Sequence, residues 1–288
     1  MIKLGLDTWL WASTFQDKHL FCIKTAKELG AEAIDFSIND PFQFPVKRAA
    51  ELVKEYGLIP VTSTAMSLEY NPISDDKVVR KNAMEFMKRL ITITVELGGT
   101  ITGGVNYTAS GYLTGKPRTR DELERSMEYM HKMAEYAKQY NITIAIEAIK
   151  RFESHIINTA EQALEYVNEL NEPNVKVHLD TFHMNIEERN ILEAIEKCGD
   201  KLAYLHFVDS NRGAPGMGHI PWIDIYKTLY KIHYNGIASI ETFNPQTLDE
   251  TCCMTFLNRK FADTPEELAR KGLEYLRAVQ IIVDHSIY

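Results

Sequence analysis

Four ionisable residues in the second half of the chain each end a short apolar run of the kind that forms a buried strand. The runs are ITIAIE (142–147), VKVHLD (175–180), LAYLH (202–206) and IASIE (237–241). They end in Glu147, Asp180, His206 and Glu241. If such strands run in parallel, their carboxyl ends meet on one face and the four side chains converge there. Three carboxylates and one imidazole suit a divalent ion such as Mn²⁺, Co²⁺ or Mg²⁺.

Strand and helix candidates alternate along the whole chain. Apolar runs predict strands near 2–7, 32–37, 58–63, 100–105, 142–147, 175–180, 202–207 and 237–241. The segments between them predict helices at 19–29, 46–56, 75–97, 119–140, 159–170, 189–198, 222–233 and 264–284. This alternation implies a parallel sheet, and 288 residues suit eight strand–helix units. We therefore predict an α/β fold, a single (β/α)8 TIM barrel that occupies residues 1–288 as one domain.

The fifth strand candidate predicts which side chains face the barrel axis. Because alternate residues of a strand point to opposite faces, Thr143 and Ala145 share the face of Glu147. The other face carries branched side chains that would pack on the helices, namely Ile142, Ile144 and Ile146. Small residues inside the wall would leave room for a ligand at the barrel mouth.

Composition argues against several classes of protein. The net charge of −8 disfavours non-specific binding to nucleic acid or to an anionic membrane. No apolar run approaches the roughly 20 residues that span a bilayer, and the first residues lack a signal-peptide pattern. The cysteines, Cys22, Cys198, Cys252 and Cys253, form no CxxC pair and no zinc spacing. We expect reduced, inert thiols in a cytoplasmic protein that acts on a small molecule.

One continuous part of the chain, roughly residues 145–245, resembles a known family. It contains the motifs EAIKRFE (147–153), IINT (156–159), LDTFHMNIEE (179–188) and DSNRGAPGMGHIPW (209–222). These motifs are similar to those of the ketose 3-epimerases, which include D-tagatose, D-allulose (D-psicose) and L-ribulose 3-epimerases. This family belongs to the xylose-isomerase-like barrel superfamily. The resemblance implies an isomerase that inverts C3 of a free ketose.

The same resemblance implies roles for individual residues. The four strand-end residues would hold one divalent metal per chain, Mn²⁺ or Co²⁺, with Mg²⁺ as an alternative. Two of them, Glu147 and Glu241, would also transfer protons. Three further residues match the substrate contacts of the family, namely Glu153, His183 and Arg212. The resemblance also implies a homodimer or a homotetramer.

The residue types fit the implied chemistry. Inverting a carbon next to a ketone requires removal of its proton and return of a proton from the opposite face. This carbon acid is too weak for an unaided carboxylate, so a Lewis-acidic metal is needed to stabilise the enediolate. Two carboxylates on opposite sides of the enediolate plane can then serve as base and acid.

Several other residues have two interpretations that the sequence leaves open. An apolar wall for the sugar, or ordinary packing, would explain Trp9, Trp11, Met66, Tyr107, Tyr112 and Phe243. His178 precedes Asp180 by two residues and shares its strand face. For His178, interior packing or support of a ligand is favoured over metal ligation.

The preferred sugar and some alternative functions also stay open. The chain has Glu241-Thr242-Phe243 where the family commonly has EPF, and its loop 103–112 lacks the family's tryptophan. A related sugar isomerase or a keto-sugar-acid epimerase is the main alternative. A metal-dependent nuclease resembling apurinic-site endonucleases would need a basic face, which the acidic balance disfavours. A non-catalytic sugar-binding protein would not need two opposed carboxylates.

Overall fold

Eight parallel strands form a closed barrel in sequence order, with β1 paired to both β2 and β8. A computed structural model describes residues 2–243 and 261–286. The strands are Lys3–Asp7 (β1), Ala33–Ser37 (β2), Ile59–Ala65 (β3), Ile101–Val105 (β4), Thr143–Ala148 (β5), Val175–Asp180 (β6), Leu202–Phe207 (β7) and Ile237–Ile240 (β8). The predicted (β/α)8 fold class is confirmed.

The helices between the strands pack on the outside of the barrel. They are Phe21–Glu28 (α1), Val46–Tyr56 (α2), Lys77–Leu97 (α3), Arg120–Lys138 (α4), Ala160–Leu170 (α5), Thr181–Glu187 (α6), Ile191–Cys198 (α7), Trp222–Lys231 (α8) and Pro265–Ser286 (α9). Eight of these match the predicted helices to within two residues at each end. The short helix α6 was not predicted. It begins directly after β6, where the Asp180 carboxylate accepts the Phe182 amide at 2.6 Å and caps the helix.

Two apolar clusters lie on the two sides of the strands. The one inside the barrel is small and consists of Ala33, Val61, Ala145, Tyr204 and Ile237. The larger one lies between the strands and the helices, and β5 contributes Ile144 and Ile146 to it. Residue Ile142, just before β5, belongs to the same outer cluster. The predicted sorting of side chains along this strand is therefore confirmed for Ala145 and the three isoleucines.

Strands β3 and β4 approach closely at Gly104. This residue has φ +95°, and a Cβ atom there would lie 2.1 Å from the carbonyl oxygen of Thr64, so a side chain is excluded. The Gly104 amide donates a hydrogen bond to Nδ1 of His178 at 3.2 Å. The close approach thereby fixes a histidine on the inner face of β6.

The cysteines and the helices agree with the expectations where they are described. Cys22 and Cys198 are buried and free, whereas Cys252 and Cys253 lie outside the described residues. In the described part of the chain, every helix is too short or too polar to cross a membrane.

Candidate metal centre and active site

The carboxyl ends of the last four strands bring the four predicted ligands together. Glu147 and His206 are the penultimate residues of β5 and β7, Asp180 ends β6, and Glu241 follows β8. Nδ1 of His206 lies 3.9 Å from a carboxylate oxygen of Glu147 and 3.7 Å from one of Glu241. All four side chains are at most 13% exposed. They form a buried cluster at the mouth of the barrel.

The donor atoms of this cluster fit a divalent cation. Nδ1 of His206 is buried and has no hydrogen-bond partner within residues 2–243 and 261–286, and the nearby Oε2 of Glu241 is an anionic oxygen paired with the Arg212 guanidinium. One donor atom from each of Asp180, His206 and Glu241 lies within 4.8 Å of the other two. Carboxylate oxygens and an imidazole nitrogen at this spacing can hold a divalent metal ion.

Arg212 contacts two members of the cluster. Its Nη1 lies 2.7 Å from Oδ2 of Asp180 and 2.9 Å from Oε2 of Glu241. The guanidinium carbon also lies 4.5 Å and 4.8 Å from the ring centres of Phe182 and Phe243. These distances are typical of cation–π contacts, which favour a buried guanidinium.

The backbone of Arg212 is strained and is held from both sides. Its φ of +68° is rarely adopted by a residue with a side chain. Its amide donates to the carbonyl oxygen of Asp209 at 2.9 Å, and its own carbonyl accepts the hydroxyl of Thr242 at 2.8 Å. Strain of this kind is typical of functional sites, and here it directs the guanidinium into the cluster.

His183 belongs to the same cluster, and Glu153 lies at its edge. Nε2 of His183, in α6, is 3.7 Å from Asp180, and its Nδ1 accepts the Lys150 amide at 3.2 Å. The ammonium of Lys150 pairs with the Glu153 carboxylate and lies 5.5 Å from the ring centre of Phe182. Lys150 had no assigned role in the sequence, although it lies inside the EAIKRFE motif.

Some of the apolar candidates lie beside Arg212, and the others pack against parts of the protein away from it. Trp9 is half-buried and meets Phe243 edge to face at 5.2 Å, so the two extend the aromatic surface beside Arg212. Trp11 is 5% exposed, and its indole nitrogen donates to Glu266 at the start of α9. Its contacts therefore hold α9 against the barrel.

Met66 and Tyr107 are fully buried in the outer apolar cluster. The Tyr107 hydroxyl donates to the main-chain carbonyl of Glu147 at 2.9 Å, so this tyrosine fixes the backbone that carries a predicted ligand. Tyr112 is half-buried and packs on His155 with the ring centres 5.6 Å apart.

Two buried aspartates near His206 were not identified from the sequence. A carboxylate oxygen of Asp35, in β2, lies 2.8 Å from Nε2 of His206 and accepts the Tyr204 hydroxyl at 2.6 Å. Asp7, the last residue of β1, accepts the Ser37 hydroxyl at 2.7 Å. Both aspartates are fully buried. The sequence feature that could have identified them is an acidic residue inside each of the first two predicted strands.

Comparisons with known proteins agree with this site. Residues 23–279 match the family model described as xylose isomerase-like TIM barrel. A ketose 3-epimerase of Arthrobacter globiformis is 33% identical over 280 residues, which are 96% of each chain. This chain belongs to the ketose 3-epimerase family.

Other proteins similar to this chain include one whose structure contains a bound sugar. An L-ribulose 3-epimerase of Methylomonas sp. (strain DH-1) is 31% identical over 88% of this chain and 89% of its own. The crystal structure of a D-allulose 3-epimerase from Methylomonas sp. in complex with D-allulose superposes with a TM-score of 0.91. That chain is 28% identical, and the match covers 96% of both chains. The family resemblance of the sequence motifs is thereby confirmed, and ketose 3-epimerases are isomerases.

The cluster in this ketose 3-epimerase contains carboxyl groups with opposite pKa shifts. Burial raises the pKa of Glu147 to about 8 and that of Glu241 to about 7. Burial also disfavours ionisation of Asp180, but Arg212, His183 and His206 together outweigh it and lower the pKa of this carboxyl group. For His206, Glu241 and Asp35 outweigh the effect of burial and raise the pKa. Without a metal, the site therefore favours the ionised form of Asp180, whereas burial shifts the pKa values of Glu147 and Glu241 towards neutrality.

Proposed function

We propose that this chain, working as one catalytic domain over residues 1–288, is a metal-dependent epimerase that inverts C3 of a free ketose. The candidate substrates are D-tagatose with D-sorbose, D-fructose with D-allulose, and L-ribulose with its C3 epimer. Support comes from relatives named ketose, L-ribulose and D-psicose 3-epimerases.

The observation that carries the proposal is the pair of glutamates that both face Nδ1 of His206. Glu147 comes from β5 and Glu241 follows β8, so two strands separate them around the barrel. Each has a carboxylate oxygen within 3.9 Å of Nδ1 of His206. A planar sugar intermediate bound between them would present one face to each carboxylate. Inversion at C3 needs this arrangement, because the proton leaves from one face and a proton returns to the other.

The electrostatics of the two glutamates support their role in proton transfer. In the metal-free cluster burial raises their pKa values to about 8 and about 7, and a divalent cation held by both carboxylates would lower these values again. A general base or acid is most effective when its pKa lies near the working pH. We assign the C3 proton to one of these carboxylates in each direction of the reaction.

The neighbouring side chains have complementary roles in the proposal. Arg212 and His183 stabilise the negative charge that develops on the ketone oxygen, because both present nitrogen atoms to the cluster. Glu153, paired with Lys150, binds a sugar hydroxyl. A divalent ion, Mn²⁺ or Co²⁺ with Mg²⁺ as an alternative, would be held by the four strand-end residues and would supply Lewis acidity that acidifies the C3 proton.

A free sugar is favoured over a sugar phosphate. Adjacent glycines near a strand end can expose amides that bind phosphate, and Gly103 and Gly104 are the candidates at the end of β4. The Gly104 amide is instead directed at His178, and Gly103 lies against the rings of His178 and Tyr204. The Gly104 amide is therefore already engaged within the protein.

A panel of free ketohexoses and ketopentoses, incubated in D₂O with added Mn²⁺ or Co²⁺, tests the proposed function. We expect deuterium at C3 of both substrate and product by NMR, with the ketone retained at C2. Deuterium confined to C1, or an aldose product, would replace the proposal with a sugar isomerase on the same metal site.

The family resemblance also underlies two wider proposals. We propose a homodimer or homotetramer, which light scattering coupled to size-exclusion chromatography measures directly. A cytoplasmic location is supported by the buried free thiols of Cys22 and Cys198, which suit a reducing compartment.

A further inference from the structure

The two nitrogens of the His206 ring face different surroundings. Nδ1 faces carboxylate oxygens of Glu147 and Glu241 at 3.9 Å and 3.7 Å. It makes no hydrogen bond to any residue that the structure describes. Nε2 faces away from these glutamates and lies 2.8 Å from Oδ2 of Asp35. A metal ion can bind only a nitrogen that carries no proton, so the position of the ring proton matters for the site.

Asp35 has a second hydrogen-bond partner besides His206. It lies in β2 on the inner face of the barrel, where it is fully buried, and the hydroxyl of Tyr204 donates to the same Oδ2 atom at 2.6 Å. The Tyr204 and His178 rings also contact the imidazole of His206, with ring centres 5.1 Å and 4.3 Å away. The imidazole therefore packs against two neighbouring rings, and Asp35 is the hydrogen-bond acceptor that faces its Nε2.

The neighbouring carboxylate of Asp7 does not compete for this role. Its nearest oxygen is 3.9 Å from Nε2 of His206, which is beyond hydrogen-bond distance. One oxygen of Asp7 accepts the amide of Trp9 at 2.6 Å, and the other accepts the hydroxyl of Ser37 at 2.7 Å. Both of its oxygens are thus engaged elsewhere.

We propose that Asp35 is a positioning residue for the metal site. Its carboxylate accepts the Nε2 proton of His206, so the lone pair of Nδ1 points towards the metal position between Glu147 and Glu241. The inference rests on the proposed function, because it requires that His206 is a metal ligand. A carboxylate behind a metal-binding histidine commonly fixes its tautomer and ring orientation, and losing it weakens metal binding by roughly 10–100-fold.

The first test is the metal affinity of the Asp35→Asn variant. Asparagine has nearly the same shape, but its amide group can donate to Nε2 and thereby move the ring proton to Nδ1. Titration calorimetry of the metal-free protein with Co²⁺ and Mn²⁺ should give a Kd roughly 10–100-fold higher than that of the wild type. The visible spectrum of the Co²⁺-loaded variant should also change, because a ligand is displaced or reoriented.

Ser37→Ala is the matched control. It removes a buried hydroxyl from the same layer of the barrel, but this hydroxyl contacts Asp7 and Ser63 rather than Asp35. Its metal Kd should stay within about two-fold of the wild type, even if its thermal stability falls as much as that of Asp35→Asn. If a folded Asp35→Asn variant binds metal as tightly as the wild type, Asp35 has no positioning role.

The wild-type protein provides a second test that does not depend on the folding of a variant. In the protein loaded with diamagnetic Mg²⁺, ¹⁵N-edited NMR should detect the His206 ring proton on Nε2. A proton on Nδ1 would overturn the inference, whatever the variant does. A wild-type chain that binds no divalent metal would refute the proposed function itself, whereas normal wild-type binding with an unaffected variant would refute only the role of Asp35.

Discussion

Replacing either glutamate of the site by glutamine should separate removal of the C3 proton from return of a proton to the opposite face of C3. Glutamine keeps the shape of the side chain but cannot accept a proton. In Glu147→Gln, Glu241 can still remove the C3 proton of the epimer that presents this proton to it. It can return a proton only to the same face, so inversion must rely on a much slower protonation by water from the other face. Each variant should therefore exchange the C3 proton of one epimer with solvent, and the two variants should act on different epimers.

The expected loss of turnover follows from the role of the removed group. The backbone at Glu147 should stay in place, because the Tyr107 hydroxyl and the pairing of β5 with β6 hold the main chain. Loss of a general acid or base costs about 10²–10⁴-fold in kcat, which corresponds to a barrier about 3–5 kcal/mol higher. Each substitution also removes one negative charge from the metal site, so the assays need saturating metal and a measured metal content.

The assay is NMR of each purified epimer in D₂O with each metal-loaded variant. A suitable control is Glu172→Gln, since Glu172 lies before β6 at the opposite end of the barrel and pairs with Lys138 and His131. This control should keep wild-type turnover. The two-base reasoning fails if both variants exchange the same epimer, or if either one, shown to contain metal, interconverts the epimers at the wild-type rate.

Three further predictions concern the metal, the substrate and the pocket. Exhaustive chelation should abolish activity, and Mn²⁺ or Co²⁺ should restore it. Metal at 100 times its Kd should also raise the free energy of unfolding by about 2.7 kcal/mol, as measured in thermal melts. Full activity of verified metal-free protein would contradict the metal requirement. A phosphorylated ketose should have a much lower kcat/KM than its free form, because the Gly104 amide is engaged with His178; the reverse order would identify a phosphate site. Lys150→Met should raise the KM for the ketose roughly ten-fold without changing the metal Kd, because Lys150 pairs with Glu153 rather than with a metal-binding residue. An unchanged KM for every ketose tested would exclude the Lys150–Glu153 pair from substrate binding.

The strand-end residues were predictable because two local regularities coincide at each of them. An apolar run sets the strand, and an ionisable residue at its carboxyl end marks the face on which parallel strands meet. Helix α6 lacks such regularities. It has only seven residues, and its N-cap is Asp180, which already ended a strand. A helix of seven residues that follows a strand without a loop is too short for its hydrophobic periodicity to be recognised.

Asp35 could not be assigned from the sequence for a different reason. Its partners Tyr204 and His206 are 169 and 171 residues away along the chain. They reach it only because the barrel closes and brings the inner faces of β2 and β7 towards each other. The register of β1 with β2 also sets Asp7 beside Asp35. Contacts across the interior of a closed barrel depend on strand register and tilt, which single-sequence patterns do not specify.

The three carboxylates of the cluster come from similar strand ends, yet their surroundings give them different protonation behaviour. Asp180 contacts Arg212 at 2.7 Å and His183 at 3.7 Å, and these groups lower its pKa despite complete burial. Glu147 and Glu241 receive less compensation, and burial raises their pKa values to about 8 and about 7. Carboxyl groups whose environments shift their pKa values in opposite directions can take different roles in one reaction. In the metal-free cluster Asp180 is thus the carboxyl group most strongly favoured in its ionised form, and this difference agrees with the proposal that the two glutamates also accept and return the C3 proton.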